Sequence, residues 1–387
     1  MLTTAPSTVP LAVGRARASE ATYITVVMSS ILLIFIAQIP TVIVLGTIAC
    51  GAFAYAANLR HGITRKQLYG MAAVPVVLLP AFFKPYHGLS PIFYTFSTVF
   101  VFLAAQAIAK KNPVDLLKAF QIIYGASLAA IALILYAYWG HPEPFGEVIE
   151  GSSTNGIPAY LIIIQIGLSL CFYVVRRRLP IWPPLATAVV AFFGNGRGSL
   201  VVAGLMIVGT FLFNALISDS ARTGTRRRYY FVAALALFFV FSEYGEDMVD
   251  FVTRYTKLSV GLVDTNRIEI FDDYWDKLGP VTALVGADYE GTVIEMDHNN
   301  NPHISYIRTH SYFGLPATIL ALVSPAIVLF GRKTRMARAV FFFFIGMAAL
   351  RAYSEPILFP TLLDFFYFCY FFIYFNHAPD AFRRRAS

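Results

Sequence analysis

Long apolar stretches alternate with short polar ones along the whole chain. The apolar runs occupy 21–38, 41–57, 68–83, 89–108, 116–138, 157–175, 181–194, 199–217, 229–243, 304–330, 338–352 and 356–376. A helix needs about 20 mostly apolar residues to cross a bilayer core. The pattern therefore predicts an all-α polytopic membrane protein with about twelve transmembrane helices, residues 1–387 forming one integral membrane domain. The run 181–194 is short and opens Ile181-Trp182-Pro183-Pro184, which predicts a tilted or re-entrant helix. The first run follows Arg15 and Arg17 and has no small-residue cleavage site after it, so it reads as the first span rather than a removed signal.

Composition agrees. Hydrophobic residues make up 57% of the chain and charged residues 13%, about half the charged share of a soluble domain. The net charge of +8 matters less than its placement. With the N-terminus inside, the inner segments hold Arg15, Arg17; Arg60, Arg65, Lys66; Lys110, Lys111, Lys118; Arg176, Arg177, Arg178; Arg222, Arg226, Arg227, Arg228; Arg332, Lys333, Arg335, Arg338; and Arg383, Arg384, Arg385. These are 22 of the 30 Lys and Arg residues. Every second loop is basic, as the positive-inside rule requires, so both termini are expected in the cytoplasm.

One outer loop, about 244–303, is far longer than the rest and is expected to be a folded subdomain. Ile268, Phe271, Tyr274/Trp275 and Leu278 recur at helical spacing, which predicts amphipathic helices lying over the membrane surface. The loop holds twelve acids against Arg254, Lys257, Arg267 and Lys277, so its few cations stand out. Cys50, Cys171 and Cys369 lie inside apolar runs without metal spacing and read as small buried hydrophobes. Glycine-rich nucleotide loops, Cys/His metal clusters and a GxSxG elbow are all absent from the sequence. A phosphate-bearing substrate would have to be met by arginines.

Three outward features carry candidate chemistry. Gly194-Asn195-Gly196-Arg197-Gly198-Ser199 is a glycine-rich, permissive turn with one Arg at the membrane boundary, and a guanidinium suits bidentate phosphate recognition. Read alone, Arg197 serves equally well as an ordinary interfacial cation. Asn266-Arg267-Ile268-Glu269-Ile270-Phe271 places a second Arg in the outer loop, with Trp275 further along; alone, Arg267 reads as a partner of Asp264 or Glu269. Pro302-His303-Ile304-Ser305-Tyr306-Ile307 places an imidazole at the outer start of a span, where it can take a proton near neutral pH. His298 is its rival, and His310, seven residues on, is expected on the same helical face.

Together these segments resemble the bacterial O-antigen polymerase and O-antigen ligase family. Gly196-Arg197-Gly198-Ser199 is similar to that family's Ser-Arg-Gly-Ala turn, with Gly196 for Ser and Ser199 for Ala. Arg267 to Phe271 is similar to its loop Arg followed by an aromatic, and Val285-Gly286-Ala287-Asp288-Tyr289 to the Gly-rich stretch after it. His303-Ile304-Ser305-Tyr306-Ile307 is similar to its His-Asn-x-x-Leu opening of the next span, with Ile304 for Asn. Gly314 lies eleven residues after His303, as in the family; His298 fails that spacing. The likeness covers about 190–330.

The resemblance implies a glycosyltransferase of the bacterial inner membrane, active on the periplasmic face without metal or cofactor. The donor would be an oligosaccharide on undecaprenyl pyrophosphate, and the lipid bilayer and a chain-length regulator protein would be partners; nucleic acid would not. Arg197 and Arg267 would hold the donor diphosphate, and His303 would orient or deprotonate the acceptor hydroxyl. Arg351, Arg308, Tyr306, Trp275 and His298 are the further substrate contacts expected. Arg351 and Glu355, four apart around Tyr353, also read as a structural ion pair. Polymerase and O-antigen ligase would use the same charges, and polymerase is favoured. A transporter or flippase is a rival, but span interiors carry little charge, Asp364 being the main exception with Gln38, Gln121 and Gln165 milder ones. A lipid-dependent mannosyl or arabinosyl transferase is disfavoured because the first outer loop, Gln38-Ile39-Pro40-Thr41, has no acid.

Overall fold

The computed structural model describes residues 10–59, 79, 90–141, 143–146, 148, 155–217 and 265–381, with side chains described from Glu20 onward except at 58, 59, 265 and 266. The expected spans 68–83, apart from residue 79, and 229–243, the loop segment 244–264, and Arg254 and Lys257 lie outside these residues.

The regular structure of the described residues is helical: α1 Pro10–Ile36, α2 Pro40–Leu59, α3 Ser90–Ala109, α4 Pro113–Ala137, α5 Gly156–Arg176, α6 Trp182–Phe193, α7 Arg197–Leu216, α8 Thr265–Asp276, α9 Pro280–Val285, α10 Val293–Met296, α11 Ser305–Val323, α12 Arg335–Tyr353 and α13 Asp364–His377. A 3-10 segment, Ser324–Phe330, continues α11. Seven of the helices (α2, α3, α4, α5, α7, α11 with its 3-10 extension, and α12) are long and apolar enough to cross a membrane. These helices fit the multi-pass character expected from the sequence, and α6 is short, as expected for 181–194.

Local chemistry sets the helix ends. Asn112 caps α4 by accepting the Val114 N–H at 2.9 Å, with Pro113 in the first turn, where its missing N–H costs nothing. Thr334 caps α12 by accepting the Ala337 N–H at 3.2 Å. At the centre stands α5, buried along nearly its whole length and packed by α4, α6, α7, α12 and α13. Gly167 lets α4 approach: a Cβ there would lie 2.2 Å from the Phe120 ring. Leu33, Leu45, Leu133, Val208 and Leu212 point outward from the outer helices, as lipid-facing positions would.

The two ends of the bundle differ in charge. At one end Lys111 pairs with Glu20 at 3.0 Å, Lys333 with Asp380 at 2.9 Å, and the end of α13 reaches α3 through His377 and the Ala109 carbonyl at 2.8 Å. Arg176, Arg177, Arg178, Arg332, Arg335 and Arg338 belong to the same end. The other end gathers the α1–α2 turn, the starts of α3, α5, α7 and α11, the end of α12 and the α8–α10 segment.

One expectation needs correction. The run 356–376 is helical only from Asp364, because Pro356 and Pro360 lack the N–H groups a helix needs. Residues 354–363 instead form a loop gripped by the first turn of α11. Ser305 Oγ donates to the Glu355 carbonyl at 2.7 Å, Arg308 to those of Pro356 and Leu358, and the Thr309 hydroxyl lies 2.9 Å from the Phe359 carbonyl. Asp364 accepts the N–H groups of Phe359 and Thr361 at 2.8 and 2.9 Å. Its charge therefore organises the loop and does not stand alone in mid-span.

On α8 the apolar positions divide between two faces. Its inward stripe is Ile270 and Tyr274, followed by Leu278, packed on Ala287, Tyr289, Ile294, Ile304 and Ile307. Of the residues expected at helical spacing, Tyr274 and Leu278 meet this core, while Ile268, Phe271 and Trp275 are exposed. The spacing of four residues selects 270, 274 and 278, whose positions stay on one helical face. Tyr274 is the pin of this small core: its hydroxyl accepts the Ala287 N–H at 3.2 Å and lies 2.9 Å from His310 Nδ1. His310 Nε2 faces the Ala283 carbonyl at 2.9 Å and so carries the proton, which makes Nδ1 the acceptor for Tyr274. Gly314 breaks α11 at φ +76°; a Cβ there would lie 2.4 Å from the Leu284 carbonyl oxygen, so only glycine lets α9 close on α11.

Tyr274→Phe leaves the Ala287 N–H and His310 Nδ1 without their buried partner, at a cost of about 1–3 kcal/mol. Amide exchange across 265–304 is expected to speed up by on the order of tenfold, with the transmembrane helices unchanged. Burial also raises the Tyr274 and Tyr289 phenols above their ordinary values. The packing is thus fully stable below about pH 10 and is lost as pH rises further, because the opened segment ionises first. Limited proteolysis between neutral and alkaline pH reads this directly.

Candidate functional site

The turn before α7 is built for close approach. Of its residues only Asn195 takes a positive φ, +51°, while Gly194 and Gly196 lie at −78° and −90°. The expectation that the glycines supply conformational freedom is therefore corrected: two of them supply space. A Cβ on Gly196 would lie 2.0 Å from Asn155 Oδ1, and one on Gly198 would lie 2.5 Å from Ser354 Oγ and 3.4 Å from Arg351 Nη1. Arg197 is thus held between two glycines that seat α7 against the start of α5 and the end of α12. It also opens a 20-residue helix whose first turn has no acid, so the dipole adds to its charge.

Glu355 lies between two other guanidinium groups. Its Oε1 is 3.5 Å from Arg351 Nη2 and 3.7 Å from Arg267 Nη2. Both separations exceed the 2.7–2.9 Å typical of a charge-assisted hydrogen bond. The Arg351 side chain is 1% exposed and also donates to Ser354 Oγ at 2.6 Å and to the Asn155 carbonyl at 3.3 Å. Its Nε has no protein partner, nor do the buried Asn155 Oδ1 and Ser199 Oγ beside it. One buried carboxylate thus ties α8 to the end of α12, and the arginines around it outnumber it.

Two cavities flank this network. The first, about 400 Å³, is lined by Arg197 and Arg267 together with Val201, Phe271, Leu350 and Tyr353, with Asp272 the acid on its wall. The second, about 230 Å³, is lined by His303, Arg308, Gln38, Asn301 and Glu355 among others. Glu355 therefore lines the His303 cavity while its carboxylate neutralises an arginine of the other.

His303 stands two residues before α11, in the left-handed region at φ +53°. It is fixed there by a turn in which Asn299 and Asn300 are also left-handed, a conformation asparagine tolerates, and its N–H donates to Asn301 Oδ1 at 3.2 Å. Because His303 precedes the helix, it does not share a helical face with His310, which is a buried structural residue. His298 packs edge-on against His303, ring centroids 5.0 Å apart.

The structure brings Arg197 and Arg267 to one cavity and His303 and Arg308 to its neighbour. It places other expected contacts elsewhere. Arg351 lines neither cavity and acts from behind the wall, as the structural pair with Glu355. Tyr306 gives its hydroxyl to the Ala349 carbonyl at 2.8 Å and lines neither cavity. Trp275 is 61% exposed and stacks on Phe271, 5.8 Å between centroids, outside the cavity that Phe271 lines. Arg267 pairs with Glu355, not with Glu269, while Asp264 lies outside the described residues. The parts that sequence reasoning missed are Asn155, Ser354 and the second role of Glu355. The Arg351–Glu355 spacing signalled the pair, but not that Arg267 completes it across a gap of many residues.

Comparison with known proteins finds no matching family model, no matching curated protein and no matching solved structure.

Glu355→Gln removes the shared counter-charge and leaves Arg351 buried without it, a loss of about 3 kcal/mol or more. The variant is expected to unfold at a lower temperature than the wild type and to expose 265–276 to protease at room temperature. A melting temperature and cleavage pattern equal to wild type would show that the carboxylate does not hold α8 in place.

Proposed function

We propose that this protein joins glycans at the outer face of a bacterial inner membrane, polymerising repeat units carried on a polyprenyl diphosphate. The observation that carries this reading is the shared cavity of Arg197 and Arg267, set beside the cavity of His303 at the less basic end of the bundle. In this reading about twelve spans cross the membrane, both termini are cytoplasmic and the arginine end faces the periplasm. The alternation of basic loops supports that orientation.

Two guanidinium groups beside an apolar wall suit a diphosphate attached to a lipid. They would hold it by charge-assisted hydrogen bonds and stabilise the negative charge that grows as it leaves. The unpartnered Asn155 Oδ1 and Arg351 Nε mark this end as polar and under-satisfied, as a site that receives a polar ligand would be. A third cavity, about 320 Å³, is lined by Phe102, Phe313, Phe368, Phe371 and Phe372 between α3, α11 and α13, which suits an isoprenoid chain.

The reaction needs few groups. His303 takes the proton of the acceptor hydroxyl as its oxygen attacks the anomeric carbon. The bond from that carbon to the diphosphate oxygen breaks, and polyprenyl diphosphate leaves with the electron pair. General-base assistance of this kind contributes about 10²–10⁴-fold.

A transport reading draws on α5, where Gln165 and Ser169 are fully buried, one turn apart and without hydrogen-bond partners. The placement of Arg197 and Arg267 in one cavity at an end of the bundle, not along its middle, favours the transferase.

A gel of surface and secreted polysaccharide from a deletion strain, complemented with wild type or Arg267→Ala, tests the proposal. Lost long chains with single repeat units still present, restored by wild type but not by Arg267→Ala, is the expected result. Full-length chains stranded on the lipid carrier would instead indicate a ligase, and an unchanged profile would favour transport.

A further inference from the structure

We infer that the His303 cavity is a neutral-saccharide subsite, separate from the arginine cavity and built in part by the N-terminal helices. The inference rests on the transferase reading for its biological role, but its chemistry can be tested alone. About 230 Å³ is enclosed by residues from four parts of the chain: Gln38 at the α1–α2 turn, Tyr94 on α3, Tyr160 on α5, and Asn301 and Tyr312 around the start of α11.

The lining has the chemistry of polyol recognition. Planar amides and a carboxylate can each meet two neighbouring hydroxyls, and here Gln38, Asn300, Asn301 and Glu355 provide them. Aromatic side chains offer apolar surface with a polar edge, and the face of a sugar ring can pack on it. Tyr94 and Tyr312 stand as a pair with ring centroids 4.6 Å apart, and Tyr160 is set edge-on to Phe35 at 5.5 Å. Arg308 is the cation of this cavity and Glu355 its anion, with the His303 imidazole beside them. Arg308 is already turned to the carbonyls of Pro356 and Leu358, and Glu355 to Arg351 and Arg267. Such a balance suits an uncharged ligand better than a diphosphate, for which the neighbouring cavity holds two arginines.

Rigid backbone underlies the placement. Gln38 is left-handed at φ +53° and its amide nitrogen donates to the Phe35 carbonyl at 2.7 Å, which fixes the side chain at the helix end and leaves its oxygen to accept. Asn301 Oδ1 accepts the N–H of His303, so its amide nitrogen donates elsewhere. The subsite therefore positions one amide beside the imidazole that would act on the bound hydroxyl. An acceptor sugar in this cavity would lie across the Glu355 wall from the donor diphosphate, which accounts for two small cavities where one large one would also have served.

The test uses the full-length protein in nanodiscs and two probes. Saturation-transfer NMR with methyl glycosides of glucose, galactose and N-acetylglucosamine reads saccharide binding. Protection from thermal unfolding by inorganic pyrophosphate reads the arginine cavity. Gln38→Ala and Asn301→Ala are expected to weaken saccharide binding by about fivefold to tenfold, the effect of losing one net hydrogen bond, while pyrophosphate protection stays at the wild-type level. Arg197→Ala is expected to do the reverse. Wild type that binds no glycoside, or binding that survives Gln38→Ala and Asn301→Ala, overturns the inference while leaving the arginine site intact. Wild type that binds glycosides through Gln38 and Asn301 but gains no protection from pyrophosphate upholds the subsite and removes the donor reading.

Discussion

A buried carboxylate facing two guanidinium groups is the contact on which the rest of this end of the molecule depends. Taking an arginine out of water is costly, and Arg351, at the end of α12, is almost wholly enclosed. Glu355, one turn on, supplies the compensating charge, and its position is set in turn by Ser305 and Arg308 holding the 354–363 loop. The same carboxylate then reaches Arg267 on α8. A single anion thus couples three things: the end of a membrane helix, the loop before α13, and the segment that covers them. Gly198 follows from the same constraint, since a Cβ there would collide with the Ser354 hydroxyl that Arg351 holds.

The separations at this network, 3.5 and 3.7 Å, are those of attraction without a tight hydrogen bond. The two arginines near Glu355 differ in burial: Arg351 is enclosed at the end of α12, while the Arg267 side chain is 25% exposed and lines the arginine cavity.

Much of the architecture was legible in the sequence because lipid imposes a simple rule: a run of apolar residues must become a helix with its backbone satisfied internally. The places where that reading slipped have local causes. The apolar run 356–376 is interrupted by two prolines, and hydropathy does not register a missing N–H. On α8 the one-dimensional pattern marks apolar positions at helical spacing but does not say which of them meet the small core. Spacing of four from Ile270 to Tyr274 to Leu278 was the better signal. At the site, Arg197, Arg267 and His303 were visible as rare charges at apolar boundaries. Asn155, Ser354 and Gln38 were not, because amides and hydroxyls are common in turns and only the fold reveals which of them meet.

The central claim is that the arginine end of the bundle moves a glycan from a polyprenyl diphosphate to a hydroxyl. The most direct test supplies purified protein in nanodiscs with a synthetic polyprenyl-diphosphate-linked oligosaccharide, with and without EDTA, and follows chain length and free polyprenyl diphosphate together. Longer glycans appearing in step with released carrier, at the same rate in EDTA, is the predicted result. Intact donor after prolonged incubation, with the protein still folded, would contradict it.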